Sequence, residues 1–378
     1  MVTLTSWNEF WHDRPVYQRV GAIIGVILSL FHIYTSLFGC LDVLAQRTIH
    51  LGLGLALVFL VYSRGKKKAG VSWIDLLLLI AVAAVVAYLF AFYDWVTAER
   101  FTMISSLSWY EIILAIAAII LVLESTRRVV GNGLVGIGVV FLLYPFVAPY
   151  LPGVLYSTPS HWTAVLDFNY LSLGGIFGIP LGVSATDIAL FIIFGAILVR
   201  SGGSFLISNV ASAFSGQSVG GPAKVAVVAS SLMGTISGSA TANVATIGSV
   251  TIPMMKKAGY KGSFAAAVEA VSSTGGQIMP PIMGAAAFVM SAFSGIAYSD
   301  IIIYAIFPAV LYYLSLFVTV DLEARRLKLS GLKPEMTIKE TIKNFGHMII
   351  PIVVLVYLLL VGYTPRLAGG LGIVTALV

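Results

Sequence analysis

Charge is scarce in this sequence. Only 10% of its 378 residues are Asp, Glu, Lys or Arg, whereas 59% are hydrophobic and the mean hydropathy is +0.98. So few ionic groups cannot cover a water-facing surface, which excludes a soluble globular protein. Cysteine occurs once, at Cys40, so a disulfide within the chain and a cysteine-based metal cluster are both excluded. The five histidines (His12, His32, His50, His161 and His347) show no ligand spacing, so no structural metal is expected. No nucleophile motif or paired carboxylates stand out, and no enzyme activity or cofactor is expected. Lys224 follows glycines in GGPAK without the spacing of a phosphate-binding loop, which argues against ATP hydrolysis. The alternating pattern of a membrane barrel is also missing, leaving helix as the spanning element.

What is present is a series of apolar runs. A hydrocarbon core of roughly 30 Å takes about 20 residues of helix to cross. Spans are expected at 20–38, 48–62, 74–92, 110–123, 134–150, 181–199, 263–288, 301–320 and 347–361. The first is too long for a signal-peptide core and has no small-residue cleavage motif after it, so it reads as a retained anchor. Trp7, Trp11, Trp73, Trp95, Trp109 and Trp162 fall near span ends, as interfacial anchors do. The net charge of +6 and pI near 9.3 come from short loops, so membrane topology explains them and a nucleic-acid partner is not expected.

Basic residues cluster on alternate loops: Arg14 to Arg19, Arg64 with Lys66, Lys67 and Lys68, Arg127 with Arg128, and Arg200 through Lys224. The intervening loops, with Asp42 and Arg47, Asp94 with Glu99 and Arg100, and His161 with Asp167, lack that excess. The positive-inside rule then places the N-terminus in the cytoplasm. Lys224 precedes the segment 225–254, and Lys256, Lys257 and Lys261 follow it, so an even number of passes is required. Two full spans would need about 40 residues, and the interval is too short for them. A re-entrant hairpin over about 222–256 satisfies both limits. Parity then puts 291–300 outside and the loop with Asp321, Glu323, Arg325, Arg326, Lys328 and Lys333 inside.

The centre of that hairpin, GTISGSATANVATIGS (234–249), is dense in small and hydroxylated residues around Asn243. Gly234 and Gly238 form a GxxxG that could serve helix packing alone. A second break, SSTGGQIMPPIMG (272–284), lies inside the expected span 263–288. Pro280 and Pro281 remove two backbone donors, and Gly275 with Gly276 permits unusual geometry, so the helix is expected to break at mid-membrane. Unwound carbonyls there suit a hard cation such as Na⁺, and half-helix N-termini suit an anionic group. An ion-coupled carrier of anions follows. An ion channel would show rings of charge or a filter repeat, and a membrane scaffold or assembly protein would use the glycines for packing only. Asp187 has two open readings, a dipole-stabilised carboxylate or a proton or cation ligand. Glu269 likewise fits a buried hydrogen bond to hydroxyls or an ion role.

GIFGIPLGVSAT (175–186), GGPAKVAVVASSLMGTISGSATAN (220–243), VEAVSSTGGQIMPPIMGAAAF (268–288) and VDLEARR (320–326) resemble the fused permease of tripartite ATP-independent periplasmic (TRAP) transporters, in the variant partnered with TAXI-type solute receptors. The resemblance is strong over about 131–332. It implies an all-α integral membrane protein, a polytopic bundle with a hairpin and a broken helix, moving as an elevator. It also implies residues 1–130 as a scaffold-like helical bundle akin to the small subunit, and 131–378 as the first part of the large-subunit-like transport domain. The implied function is import of small organic anions such as carboxylates into the bacterial cytoplasm across the inner membrane. A Na⁺ gradient, with H⁺ as the other candidate, would drive it, and a periplasmic TAXI-type binding protein would deliver the solute. By motif, Ser237, Gly238, Asn243, Thr274, Gly275, Gly276 and Pro280 would hold Na⁺, and Ser239, Thr241 and Gln277 would face the substrate. Such transporters carry two inverted repeats. Only the first is expected here, the second being absent, so the chain reads as an N-terminal portion of a longer permease.

Overall fold

The computed structural model describes residues 15–62, 71–331 and 336–378. Arg14, Arg64, Lys66, Lys67, Lys68 and Lys333, with Trp7, Trp11 and His12, lie outside the described residues. Among those described, the chain is helical and without strand, and seven helices are long and apolar enough to cross a membrane. The contacts divide the chain into two compact units. One comprises residues up to Thr35 and Gly39–Ala185, the other Ser36–Phe38 and Thr186–Val378.

The first unit contains α1 (Val16–Phe38), α2 (Val43–Val61), α3 (Trp73–Ala91), α4 (Trp109–Val129), α5 (Asn132–Val147), α6 (Trp162–Tyr170) and α7 (Ile179–Val183). Start signals are local. Ser72 with Asp75, and Ser108 with Glu111, form capping boxes at the first turns of α3 and α4. Asp42 caps α2 by accepting from Leu44 N at 3.0 Å. Apolar faces of α2, α3, α4 and α6 meet in a core of Leu44, Phe59, Val85, Leu89, Leu121 and Tyr170. α4 is a full-length helix, as expected.

The same carboxylates that cap these helices are neutralised in their interior. Arg128 Nη2 meets Asp75 Oδ1 at 2.7 Å and its Nε meets Glu124 at 2.9 Å, while the guanidinium lies over Phe59. Near the start of α4, Arg100 meets Asp167 at 2.9 Å and Glu111 at 3.5 Å, and Tyr88 Oη donates to Glu111 at 2.7 Å. A third polar cluster joins α1 and α2 to the end of α7: the rings of His32 and His50 share a 2.9 Å hydrogen bond, and His50 Nε2 lies 3.0 Å from Ser184 Oγ. Gln46 donates to Ala185 O at 3.0 Å. Sequence spacing gave no hint of the histidine pair. Among the described residues, no group of three His, Cys, Asp or Glu forms around it.

The second unit contains α8 (Ala189–Leu198), α9 (Ser204–Ser215), α10 (Gly221–Ser237), α11 (Ala240–Thr246), α12 (Gly248–Lys257), α13 (Gly262–Gly275), α14 (Ala285–Ser294), α15 (Tyr298–Arg326), α16 (Ile338–Phe345), α17 (Ile349–Leu360) and α18 (Pro365–Leu377). α8 runs on through a wide turn to α9, with a kink at Gly202, where φ is 111°. The expected span at 263–288 is two short helices, α13 and α14, because Gly276 to Gly284 leave the helical path. α10 is the central element: 12 of its 17 residues are buried, and it packs on α9, α12, α13 and α15. Its first turn is tied to the end of α15 by Lys224, which meets Asp321 at 2.5 Å and lies over Phe317.

Candidate ion and solute site

Residues 221–257 leave one place and return to it. Tyr260, just after α12, donates to Gly220 O, just before α10, at 3.4 Å, and α10 packs along α12. The two ends of the interval therefore lie side by side. α10 ends at Gly238, whose φ of 57° is the left-handed conformation that glycine adopts freely. Ser239 then caps the short α11 by accepting from Ala242 N at 3.3 Å, and its hydroxyl lies 3.3 Å from that of Thr241.

The hairpin tip sits against the broken helix. A Cβ on Gly234 would stand 2.5 Å from Gly276 Cα, and one on Gly276 would stand 2.9 Å from Gly234 Cα. Gly238 lies against the carbonyl oxygen of Met283, where an added Cβ would overlap it. The glycines that let backbones touch also bring 234–243 onto 276–284, with Gly276 against Gly234 and Asn243 and Met283 against Gly238, while Gly275 faces Tyr312 and Tyr313 of α15.

Asn243 is fully buried. Its Nδ2 donates to Ser230 O at 2.9 Å, which fixes the amide orientation, since the reverse flip would set oxygen against oxygen. Its Oδ1 is buried and accepts no hydrogen bond among the described residues. An unsatisfied buried amide oxygen is unfavourable by about 1–3 kcal/mol unless something fills it, and a hard cation is a natural occupant. Below Asn243, Ser230 Oγ donates to Glu269, which also accepts from Ser273 and Thr251. Of its two readings, Glu269 has the hydroxyl hydrogen bonds.

The break is more fully satisfied than its prolines suggested. Tight turns link Gly276 N to Ser273 O, Gln277 N to Thr274 O and Ile278 N to Gly275 O, each at 3.1 Å. Tyrosines of α15 supply further donors: Tyr312 to Val271 O at 2.7 Å, Tyr313 to Ser272 O at 2.9 Å, and Tyr298 to Pro281 O at 3.0 Å and Ile282 O at 2.5 Å. The carbonyls expected to be bare in the last turn of α13 therefore have partners. Those of Thr274 and Gly275 each keep one lone pair beyond their turn bond. Pro280, expected among the cation ligands, lines an apolar cavity of about 280 Å³ with Met279, Ile302, Ile306, Val310 and Leu360. Thr274 Oγ1 is turned back to Ala270 O at 2.7 Å. Thr241 and Gln277 are exposed and Ser239 is half-buried. Asp187 accepts a hydrogen bond from Thr186 and lies in the field of Arg366.

Comparison with known proteins bears on the same region. Residues 117–378 match the family described as tripartite ATP-independent periplasmic transporter, DctM component. A C4-dicarboxylate TRAP transporter large permease from Pseudomonas aeruginosa is 31% identical over 40% of this chain and 35% of its own. The 2,3-diketo-L-gulonate large permease of Escherichia coli is 31% identical over 39% and 34%, and the ectoine large permease of Halomonas elongata 32% over 34% and 30%. The chain spans about a third of the length of the curated relatives it matches. With its hairpin, its broken helix and four of the seven membrane-length helices inside the matched region, the chain belongs to the DctM family, the large permease component of TRAP transporters.

Proposed function

We propose that this chain is part of the permease of a receptor-dependent secondary transporter in the bacterial inner membrane, with a cytoplasmic N-terminus. It imports a small organic anion, a carboxylate in the first instance, by symport with Na⁺ and in concert with a periplasmic TAXI-type binding protein. The carrying observation is the contact of hairpin tip and helix break around the buried, unsatisfied Asn243 Oδ1. Family membership supports transport and a solute-binding partner. The relatives' names, which include a dicarboxylate, a sugar acid derivative and ectoine, support a small solute. Asn243, with backbone oxygens of Gly238, Thr274, Gly275 and Gly276 and the Ser237 hydroxyl, would hold the cation, whose role is to couple the ion gradient to solute entry. Ser239, Thr241 and Gln277 would contact the solute. The first half of a two-repeat, elevator-type carrier is the architecture this fits.

The test is uptake of labelled organic acids into proteoliposomes holding the complete permease, with its purified receptor and with or without an inward Na⁺ gradient. Uptake should need both. Asn243→Ala should raise the Na⁺ concentration for half-maximal uptake at least tenfold while the amount of inserted protein stays unchanged. Uptake driven by a proton gradient alone would reassign the cation, and an unaltered Na⁺ response in the variant would remove Asn243 from the site.

A further inference from the structure

Every candidate ligand at the hairpin–break junction is neutral: hydroxyls, one amide and backbone carbonyls. A cation held by neutral groups at membrane depth leaves its charge without an opposite, an expensive arrangement in a low dielectric. One helical stretch away lies a carboxylate with the complementary problem. Glu269 has no exposure to solvent. It accepts from Ser230 Oγ of α10 at 3.1 Å, Thr251 Oγ1 of α12 at 2.5 Å and Ser273 Oγ of its own helix at 3.0 Å. The Ser230 and Ser273 hydroxyls both point at Oε1, and that of Thr251, shared with Ile247 O at 3.1 Å, lies on Oε2, a set that fits an ionised carboxylate, which accepts only.

Among the described residues, no Lys, Arg or His pairs with Glu269. The cations of this unit that do form ion pairs, Lys224, Arg325 and Arg326, are bound to Asp321 and Glu323. Nearby Tyr313 already donates to Ser272 O. Glu269 is nonetheless connected to the junction. Ser230 bonds it through Oγ and bonds Asn243 through its carbonyl. Along α13, Gly276 follows it after about 10 Å of helix.

We propose that Glu269 is the counter-charge of the cation bound at this junction, acting through space and through Ser230 rather than as a ligand. This rests on the cation reading above. At about 10 Å and an effective dielectric constant of about 20, one buried charge changes cation affinity by roughly ten- to twentyfold.

The experiment is equilibrium binding of ²²Na⁺ to the purified complete permease in nanodiscs, alongside its thermal unfolding midpoint without Na⁺. Glu269→Gln keeps the size and a carbonyl oxygen for Ser230 and Ser273, and can donate to Thr251, so it removes little but charge. Its Na⁺ dissociation constant should rise at least fivefold, whereas Glu269→Asp, which keeps the charge, should stay within threefold of wild type. Both should unfold within a few degrees of wild type. Should the Gln protein fail to fold, Asp and Asn at this position make the same comparison at equal shape. Equal Na⁺ affinity within either charge pair overturns the proposal while the cation site survives. Absence of saturable Na⁺ binding by wild type overturns the cation reading, and the counter-charge with it.

Discussion

Gly234→Val is expected to bring coupled uptake by the complete permease down to background while leaving membrane insertion at wild-type levels. The reason is a distance. A Cβ at Gly234 stands 2.5 Å from Gly276 Cα, and non-bonded carbons settle at about 3.5–4.0 Å. Both partners are backbone, so no rotamer change relieves the overlap, and hairpin and break must part by more than about 1 Å. Misplacement of that size in a binding constellation can reduce rate by about a hundredfold. Gly276→Val should act the same way from the other side. Gly136→Val is the control, because nothing lies within 4 Å of its added Cβ, and it should transport normally. Initial rates of labelled solute uptake, normalised to inserted protein, decide the matter. A Gly234→Val permease with more than half the wild-type rate would mean the two segments need not touch.

The parts of this site that the sequence announces are those governed by local chemistry. Gly238, the paired glycines at 275–276 and the prolines at 280–281 punctuate apolar runs and lie where the helical path ends or is broken, whereas Asn243 stands inside α11. The lysines flanking the interval led to an even number of passes, and Tyr260 donating to Gly220 O holds the two ends of that interval together. Less visible were partners set by packing between distant helices. Tyr312 and Tyr313 reach the carbonyls of Val271 and Ser272 from 41 residues away, and Tyr298 reaches Pro281 from 17. On α15 they read as interfacial or core aromatics, since neither hydropathy nor helical period records which carbonyl lacks a donor. For the same reason the prolines overstated how much bare backbone the break would expose. His32 and His50 belong to the same class: 18 residues apart on different helices, they meet only because α1 packs beside α2. The division of contacts between Ala185 and Thr186 likewise has no compositional signal.

The largest loss of stability is expected from Arg100→Ala. Arg100 sends Nε and Nη2 to Asp167 Oδ1 at 3.1 and 2.9 Å and approaches Glu111 with Nη1 at 3.5 Å, and all three side chains are buried. Each carboxylate is also committed elsewhere. Glu111 Oε2 accepts from Ser108 N to start α4, and Asp167 Oδ2 accepts from Met103 N. Neither can turn toward water when the arginine goes, so two desolvated negative charges are left facing each other. Breaking such a pair typically destabilises by about 3–5 kcal/mol. The unfolding midpoint in detergent should fall on the order of 10 °C. Arg100→Lys should recover only part of that, because an ammonium lacks the planar fork that serves both acids. The combination Arg100→Met, Asp167→Asn and Glu111→Gln should recover most of it, since Asn and Gln can still accept from Met103 N and Ser108 N while no charge remains to be buried. If Arg100→Met alone, with both acids kept, recovers as much as the triple variant, the penalty comes from lost packing around the arginine stem. If the triple variant alone returns toward wild type, the ends of these helices are held by charge neutralisation, and the arginine is there because the caps of α4 put acids where no water reaches.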